Sequence, residues 1–561
     1  MCLLDAKPDL FSVTGRMLFE ELICGPFSVA LILGFIIFVL FYRLTTRNHD
    51  YWEKRGIPYV KPLPLFGSLL EDMTKPALNV ELERYAKLGP IYGYFRTVMP
   101  SISVAEPHLI KDIFVKDFQY LMDRRRSLLG YGNNKILILM LNMAPAKYWK
   151  RIRSSVTPAF TARKIKLITQ IFKDSCETLI KNMTDASKKK QVNIVKFYDA
   201  FMMDVILSSA FSTKIDSHND PNNTFVQHSK QITTSNWNIS IIIYILFPFL
   251  RKFFIFYHAK KVTDFYKDAV LRIIAERKRT GQVRHDFLEL MMETVRNSEE
   301  TDEKFSSTDK EDQNGITSDN NYQISSHHIS KSIPAKKLSE EELVAQCMTF
   351  FVAGYPTSTS TLSYTSYLLA LHPEIQEKLR QEVDKTLLEN EGELNYEIVH
   401  SMKYLDCVVS ESLRLSPPVP RLERIVTTDY TLGDTGIVLT KGMTLTVPIA
   451  AMHRDPKYFP DPLKFNPDRF SPEEKDKHIP YTYLPFGCGP RNCIGAKLAL
   501  IMIKMCLAYI IANFRINRCS LTKDKLNFLV TLAPITQVKE IMVELERRND
   551  SPMAKIFNGT P

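Results

Sequence analysis

A short stretch near the C-terminal end carries the strongest chemical pattern in the chain: Phe486-Gly487-Cys488-Gly489-Pro490-Arg491-Asn492-Cys493-Ile494-Gly495. Glycines, a proline and an arginine crowd Cys493 just before an apolar, helix-like run over residues 497–511. Such a loop presents the sulfur at a helix N-terminus, where free N–H groups and the macrodipole favour the thiolate. A thiolate held this way is an axial ligand for haem iron and pushes electron density that helps cleave an O–O bond. A buried structural cysteine is the plainer alternative. The spacing F-x-x-G-x-R-x-C-x-G, however, is filled at every fixed position, so Cys493 is read as the ligand of haem b, with Phe486 and Arg491 beside it.

Two further pairs gain meaning beside that loop. Glu411 and Arg414 stand at i, i+3 on one helix face, and the apolar stretch 404–409 before them places the pair in the interior. A buried pair needs extra hydrogen bonds to offset desolvation. Arg469, on the proline-bent stretch 465–470, is placed to supply them and so to lock the cysteine loop. Trp149 and Arg153 stand at i, i+4; an indole N–H and a guanidinium on one face can both bond a propionate. A solvated amphipathic helix is the default reading of that spacing taken alone.

These residues must be positioned by a large body. Its 45% hydrophobic and 24% charged residues are ordinary for a globular protein. Nine scattered cysteines without repeated spacing exclude a disulfide scaffold and give no zinc pattern. Helical patterning dominates from about residue 70, as at 107–116, 162–183 and 260–278, with short β-like pieces at 91–95, 101–104, 430–432 and 443–448. Residues 297–334 turn sharply to Ser, Thr, Asn, Asp and Glu, a composition that cannot bury enough surface to order itself. The run 239–256, broken by Pro248 and Arg251-Lys252, is either buried core or a loop dipping into a membrane interface.

Residues 22–42 carry no charge and are long enough to cross about 30 Å of hydrocarbon. Acids precede them and Arg43, Arg47, Lys54 and Arg55 follow, which places residues 1–21 in the lumen and the body in the cytosol. A proline-rich linker spans 43–69, the catalytic domain 70–545 and a flexible tail 546–561. The net charge of +11 fits an anionic membrane or an acidic protein partner. No nucleic-acid motif accompanies it. No dinucleotide fingerprint is present either, so NADPH electrons must arrive through another protein.

Taken together, these motifs resemble the cytochrome P450 monooxygenases, and more closely the microsomal subgroup of vertebrate drug-metabolising and arthropod detoxifying enzymes. The resemblance runs from residue 51 to about 543 and includes the phrase Arg421-Leu422-Glu423-Arg424 in the family's order. It implies a mainly α fold with a small β-rich region, on an N-terminal transmembrane helix in the endoplasmic reticulum membrane. It implies insertion of one oxygen atom from O2 into a lipophilic small molecule (a xenobiotic, steroid or lipid). The implied electron donors are an NADPH-dependent flavoprotein reductase and, as a further partner, cytochrome b5. Arg124, Trp149, Arg153, Arg424 and Arg491 would hold the haem propionates. Lys150, Arg151, Arg163, Lys164 and Lys497 would form the basic face for the reductase. The segments 128–140, 416–420 and 528–535 would line the substrate pocket.

The pattern breaks once. Where the family has an acid followed by Thr, this chain reads Ala353-Gly354-Tyr355-Pro356-Thr357-Ser358. Proline relays no proton, removes the backbone bond to Val352 and kinks a helix. In one reading Thr357, Ser358 and a water on the freed carbonyl deliver protons, and oxygenation survives. In another the site rearranges substrates that already contain an O–O bond. A third, from a different class, is a non-catalytic haem-binding sensor. The retained alcohol at Thr357 favours the first.

Overall fold

The computed structural model describes residues 26–125, 134–211, 215–233, 239–247, 250, 257–281, 286–297 and 338–553. The expected luminal segment 1–21, the first residues of the apolar run, most of the 297–334 insertion and part of 128–140 lie outside the described residues.

An apolar helix, α1 (Pro26–Thr46), leads into the body. It runs past Tyr42, where the apolar stretch ends, because the Thr45 and Thr46 hydroxyls both donate to the Tyr42 carbonyl. Its large side chains are exposed, as a helix made for lipid would leave them. The stretch expected as a linker is annealed to the sheet. Trp52 is fully buried and donates its indole N–H to Tyr94 O, while Gly93 N–H donates to Pro58 O.

The body is mainly helical. The principal elements are α2 (Ala146–Val156), α3 (Ala162–Ser187), α4 (Ile194–Phe211), α5 (Tyr257–Thr280), α6 (Phe287–Asn297), α7 (Glu340–Leu371), α8 (Pro373–Glu389), α9 (Lys403–Leu415) and α10 (Ala496–Asn513). The long α7 starts on a capping box, in which Ser339 Oγ accepts from Glu342 N–H and Glu342 returns a bond to Ser339 N–H. It is buried on nearly every face and packs most extensively on α4. Gly354 permits that approach, since a Cβ there would meet Ile206 at 2.8 Å. The kink expected at Pro356 does not interrupt the element, which is helical from Glu340 to Leu371. Thr357 and Thr361 hydroxyls donate to the carbonyls of Ala353 and Thr357 around it, adding bonds where proline removes one.

The main sheet has the order β1 (Ile91–Arg96), β2 (Met99–Val104), β7 (Thr444–Val447), β4 (Leu422–Ile425), with β2 and β7 parallel and the other pairs antiparallel. β4 is absent from the sequence expectation because its Glu and Arg residues do not alternate as a half-buried strand should. A three-stranded sheet orders β3 (Val192–Asn193), β9 (Met542–Arg547) and β8 (Phe514–Asn517), and β5 (Tyr430–Thr431) pairs with β6 (Val438–Leu439). The segment from 546, expected as a tail, is docked as far as Met553. Arg548, 3% exposed, donates to Asp384 at 2.7 Å and to Ile511 O at 2.9 Å. From the run 239–256 a helix spans Ile239–Leu246, with Ile239 exposed but Ile241 and Tyr244 buried.

Candidate functional site

The cysteine loop is held by its own backbone. Cys493 N–H donates to Phe486 O at 2.9 Å and Asn492 N–H to Gly489 O at 3.0 Å. Gly487 and Gly489 adopt φ of 72° and 71°, which few side chains tolerate, and a Cβ on Gly489 would meet Phe114 O at 1.9 Å. Cys493 lies two residues before the N-cap of α10, Gly495. Most of the other described cysteines are buried, but Cys493 has exposed surface although protein atoms surround it. Cys493 is therefore accessible from within the fold rather than sealed in the core. Burial raises the pKa of this thiol, against the opposing pull of the Gly495 N–H, Arg153 and Arg124. The helix-terminus effect expected from the sequence is present but outweighed, because desolvation of a sulfur anion exceeds what the nearby dipoles return.

A closed network stands behind the loop. Arg414 donates to both Glu411 oxygens at 2.7 and 2.8 Å, to His453 O at 2.7 Å and to Pro462 O at 2.8 Å. Glu411 and Arg414 are fully buried, and Asn466 N–H donates to Glu411 at 3.0 Å. Arg469 approaches Glu411 at 3.4 Å and donates to Asp461 O at 2.9 Å. The three residues expected to brace the loop are thus brought together. His453 completes the path: its Nε2 accepts from Leu484 N–H at 2.9 Å, at the entrance to the cysteine loop. Burial, then the Arg414 charge, push its pKa down to about 3. No sequence signal marks His453, a lone histidine between Met452 and Arg454.

On the other side lies a cluster of arginines. Arg124 donates to Arg491 O at 2.6 Å, and Arg153 donates to Asn492 O and Oδ1 at 3.1 and 2.9 Å. Arg491 lies 4.7 Å over the Trp149 ring, and Arg424 lies 4.4 Å over Phe114. Trp149 thus meets Arg491 by stacking and Arg153 meets Asn492. Burial and then mutual repulsion depress these groups: Arg491 falls to about 9, and Arg424 falls well below the usual arginine range. For Arg153 burial is likewise the leading cause, taking it to about 10. The Nε atoms of Arg124, Arg424 and Arg491, and Nη1 of Arg491, are buried without a hydrogen-bond partner among the described residues. So many unpaired buried donors of one sign call for a dianion. Two propionates on one flat ligand, above an accessible sulfur, fit that demand.

One expectation is corrected. Arg151 does not join a free basic face; it pairs with Glu342 at the start of α7, while Arg163 and Lys497 remain exposed. The helix terminus, with its acidic capping box, lands on Arg151 from far along the chain. Arg421 turns away from the arginine cluster toward Glu81 at 2.9 Å and Asp72 at 3.1 Å.

On α7, Ala353 is exposed within an otherwise buried element and accepts from Thr357 Oγ1 at 2.5 Å. Ser358 is 1% exposed, and its hydroxyl has no partner among the described residues.

A helical body with an accessible interior cysteine beside an unneutralised arginine cluster is the architecture of a haem-thiolate protein. Residues 57–543 match the cytochrome P450 family. The chain is 34% identical to cytochrome P450 3A14 of Cavia porcellus over 523 residues, covering 91% of this chain and 95% of that relative. It is 36% identical to cytochrome P450 3A41 of Mus musculus over 495 residues, with 87% and 91% covered. It is 35% identical to lithocholate 6-beta-hydroxylase of Mesocricetus auratus over 504 residues, with 88% and 92% covered. The chain belongs to the cytochrome P450 family; it binds haem through a cysteine thiolate and is a monooxygenase.

Proposed function

We propose that Cys493 is the thiolate ligand, that Arg124, Trp149, Arg153, Arg424 and Arg491 hold the propionate edge, and that Phe486 flanks the sulfur. The enzyme inserts one oxygen atom into a lipophilic small molecule, drawing NADPH electrons through a flavoprotein reductase, with cytochrome b5 as a further donor. The exposed α1 supports single-pass anchoring in the endoplasmic reticulum membrane with the body in the cytosol. The observation that carries the reading is the accessible sulfur of Cys493 beside buried, unpaired arginine donors.

Haem bound there supplies reduction and scission of O2. The chain supplies position and protons. Glu411, Arg414 and Arg469 hold the loop at fixed register through His453 and Leu484. Thr357 carries a proton parked on Ala353 O, and Ser358 a second hydroxyl with unused capacity. Pro356 has no N–H, so the Val352 carbonyl loses its helical donor and orients a water beside them. These hydroxyls and that water stand in for the carboxyl absent at 356, and proton delivery through them is slower than through an acid.

The reduced, CO-bound spectrum tests the ligand: Cys493→Ser abolishes the thiolate signature and Cys488→Ser, whose thiol burial pushes up to about 12, keeps it. Peroxide released per NADPH tests the relay, and Pro356→Glu lowers it. A wild-type protein that consumes no NADPH yet isomerises hydroperoxides would favour the rearrangement chemistry instead.

A further inference from the structure

Tyr355 stands between Gly354 and Pro356 on α7, two residues from both Ala353 and Thr357. At about 100° per residue its ring falls on the opposite face of the helix, about one helix diameter (10–12 Å) from the exposed Ala353. The ring is buried against α4, at 5% exposure, and its hydroxyl donates to Asp199 Oδ1 on that helix at 3.2 Å. Phe351 stacks on it with ring centroids 5.7 Å apart, and Tyr266 lies 5.7 Å beyond Phe351.

A buried phenol bonded to a carboxylate can lose an electron and a proton together. Burial, then the Asp199 charge, raise the Tyr355 pKa well above the ordinary tyrosine value, so the phenol keeps its proton until it is oxidised. An oxidised phenol is a strong acid, and the bonded carboxylate is there to take the proton. Asp199 is half-buried and can pass that proton on to water. Tyr367, further along α7, donates instead to the carbonyls of Lys523 and Asp524 at 2.9 Å. An amide oxygen is too weak a base for that role.

We propose that Tyr355 is a redox-active residue that gives one electron to the haem site when no substrate does, with Asp199 as the proton acceptor. The proposal rests on the haem-monooxygenase reading, in which proton delivery past Pro356 is slow and peroxide is released. Peroxide that returns to the ferric haem leaves one oxygen as water and raises the site by two oxidising equivalents. One electron then leaves the phenol, its O–H bond breaks, the proton moves to Asp199 Oδ1, and one of the two equivalents is cancelled. The neutral tyrosyl radical is left where Phe351 and α4 shield it from solvent.

The test uses the full-length ferric holoenzyme, mixed with hydrogen peroxide without substrate, freeze-quenched and read by electron paramagnetic resonance. Wild type should give a tyrosyl signal that narrows when the protein carries ring-deuterated tyrosine. Tyr355→Phe should lose that signal, and Tyr266→Phe should keep it. Asp199→Asn, which keeps an acceptor but not a base, should slow its appearance by about a hundred-fold, and serves if the phenylalanine variant does not fold. No tyrosyl signal in wild type, an undiminished one in folded Tyr355→Phe, a signal that follows Tyr266 instead, or an unchanged rate in Asp199→Asn would overturn the proposal. A wild-type protein without the thiolate CO signature would instead overturn the reading beneath it.

Discussion

The two flanks of the cysteine loop solve the problem of buried charge in opposite ways. Behind the loop, Arg414 and Arg469 share the Glu411 carboxylate, and carbonyls fill most of the remaining donors. Beside it, Arg124, Arg153, Arg424 and Arg491 accumulate one sign of charge and leave several donors unpaired. The first network is nearly complete within the polypeptide, with Arg469 Nε and His453 Nδ1 its buried atoms lacking a hydrogen-bond partner among the described residues. The second is complete only with a dianion, and so reserves a place for a charged cofactor.

Breaking the finished side should cost most. Arg414→Ala leaves the buried Glu411 carboxylate with only Arg469 at 3.4 Å and Asn466 N–H at 3.0 Å, and apoprotein stability should fall by about 3 kcal/mol in denaturant unfolding. An unmoved midpoint would show that the brace is ornamental.

Acid should weaken the same side more gradually. His453 has a depressed folded-state pKa of about 3, so the unfolded chain takes its proton first. Stability contributed by the neutral ring is intact above about pH 6.5 and is lost as pH falls toward 3, at about 1.4 kcal/mol per pH unit. His453→Gln should lower stability at neutral pH but flatten this slope by one proton, as read from unfolding free energies between pH 4 and 6.

The smallest effect on folding should carry the opposite sign. Arg424→Leu removes a repelled charge beside Arg124 and Arg491, so the apoprotein should gain about 1 kcal/mol while haem retention falls about ten-fold. Equal destabilisation of both forms would erase the contrast between the two flanks.

Much of this site was legible before any coordinates, because its signals are local. The loop from Phe486 to Gly495 announces itself by glycine, arginine and cysteine at fixed offsets, and Glu411–Arg414 by helical spacing. His453 was not legible: its role depends on Arg414 and Leu484, which lie 39 and 31 residues away. Arg151 was misplaced for the same reason, since its partner Glu342 is 191 residues distant. β4 carries no strand pattern because its charge is met by distant residues: Glu423 pairs with Arg96 at 3.3 Å, from a strand at the far edge of the sheet.

The sequence by itself determined the class of this protein, its haem ligand loop, its apolar N-terminal helix and its departure at Pro356. Those are matters of residue type and short spacing, which the chain cannot alter by folding. The tertiary structure alone decided that Cys493 stays accessible, that Arg424 and Arg491 keep buried nitrogens without a partner among the described residues while Arg421 reaches Glu81 and Asp72, and that a helix runs through Pro356. Each depends on desolvation and on neighbours brought together from distant parts of the chain, and burial strengthens or penalises a charge only once those neighbours are in place.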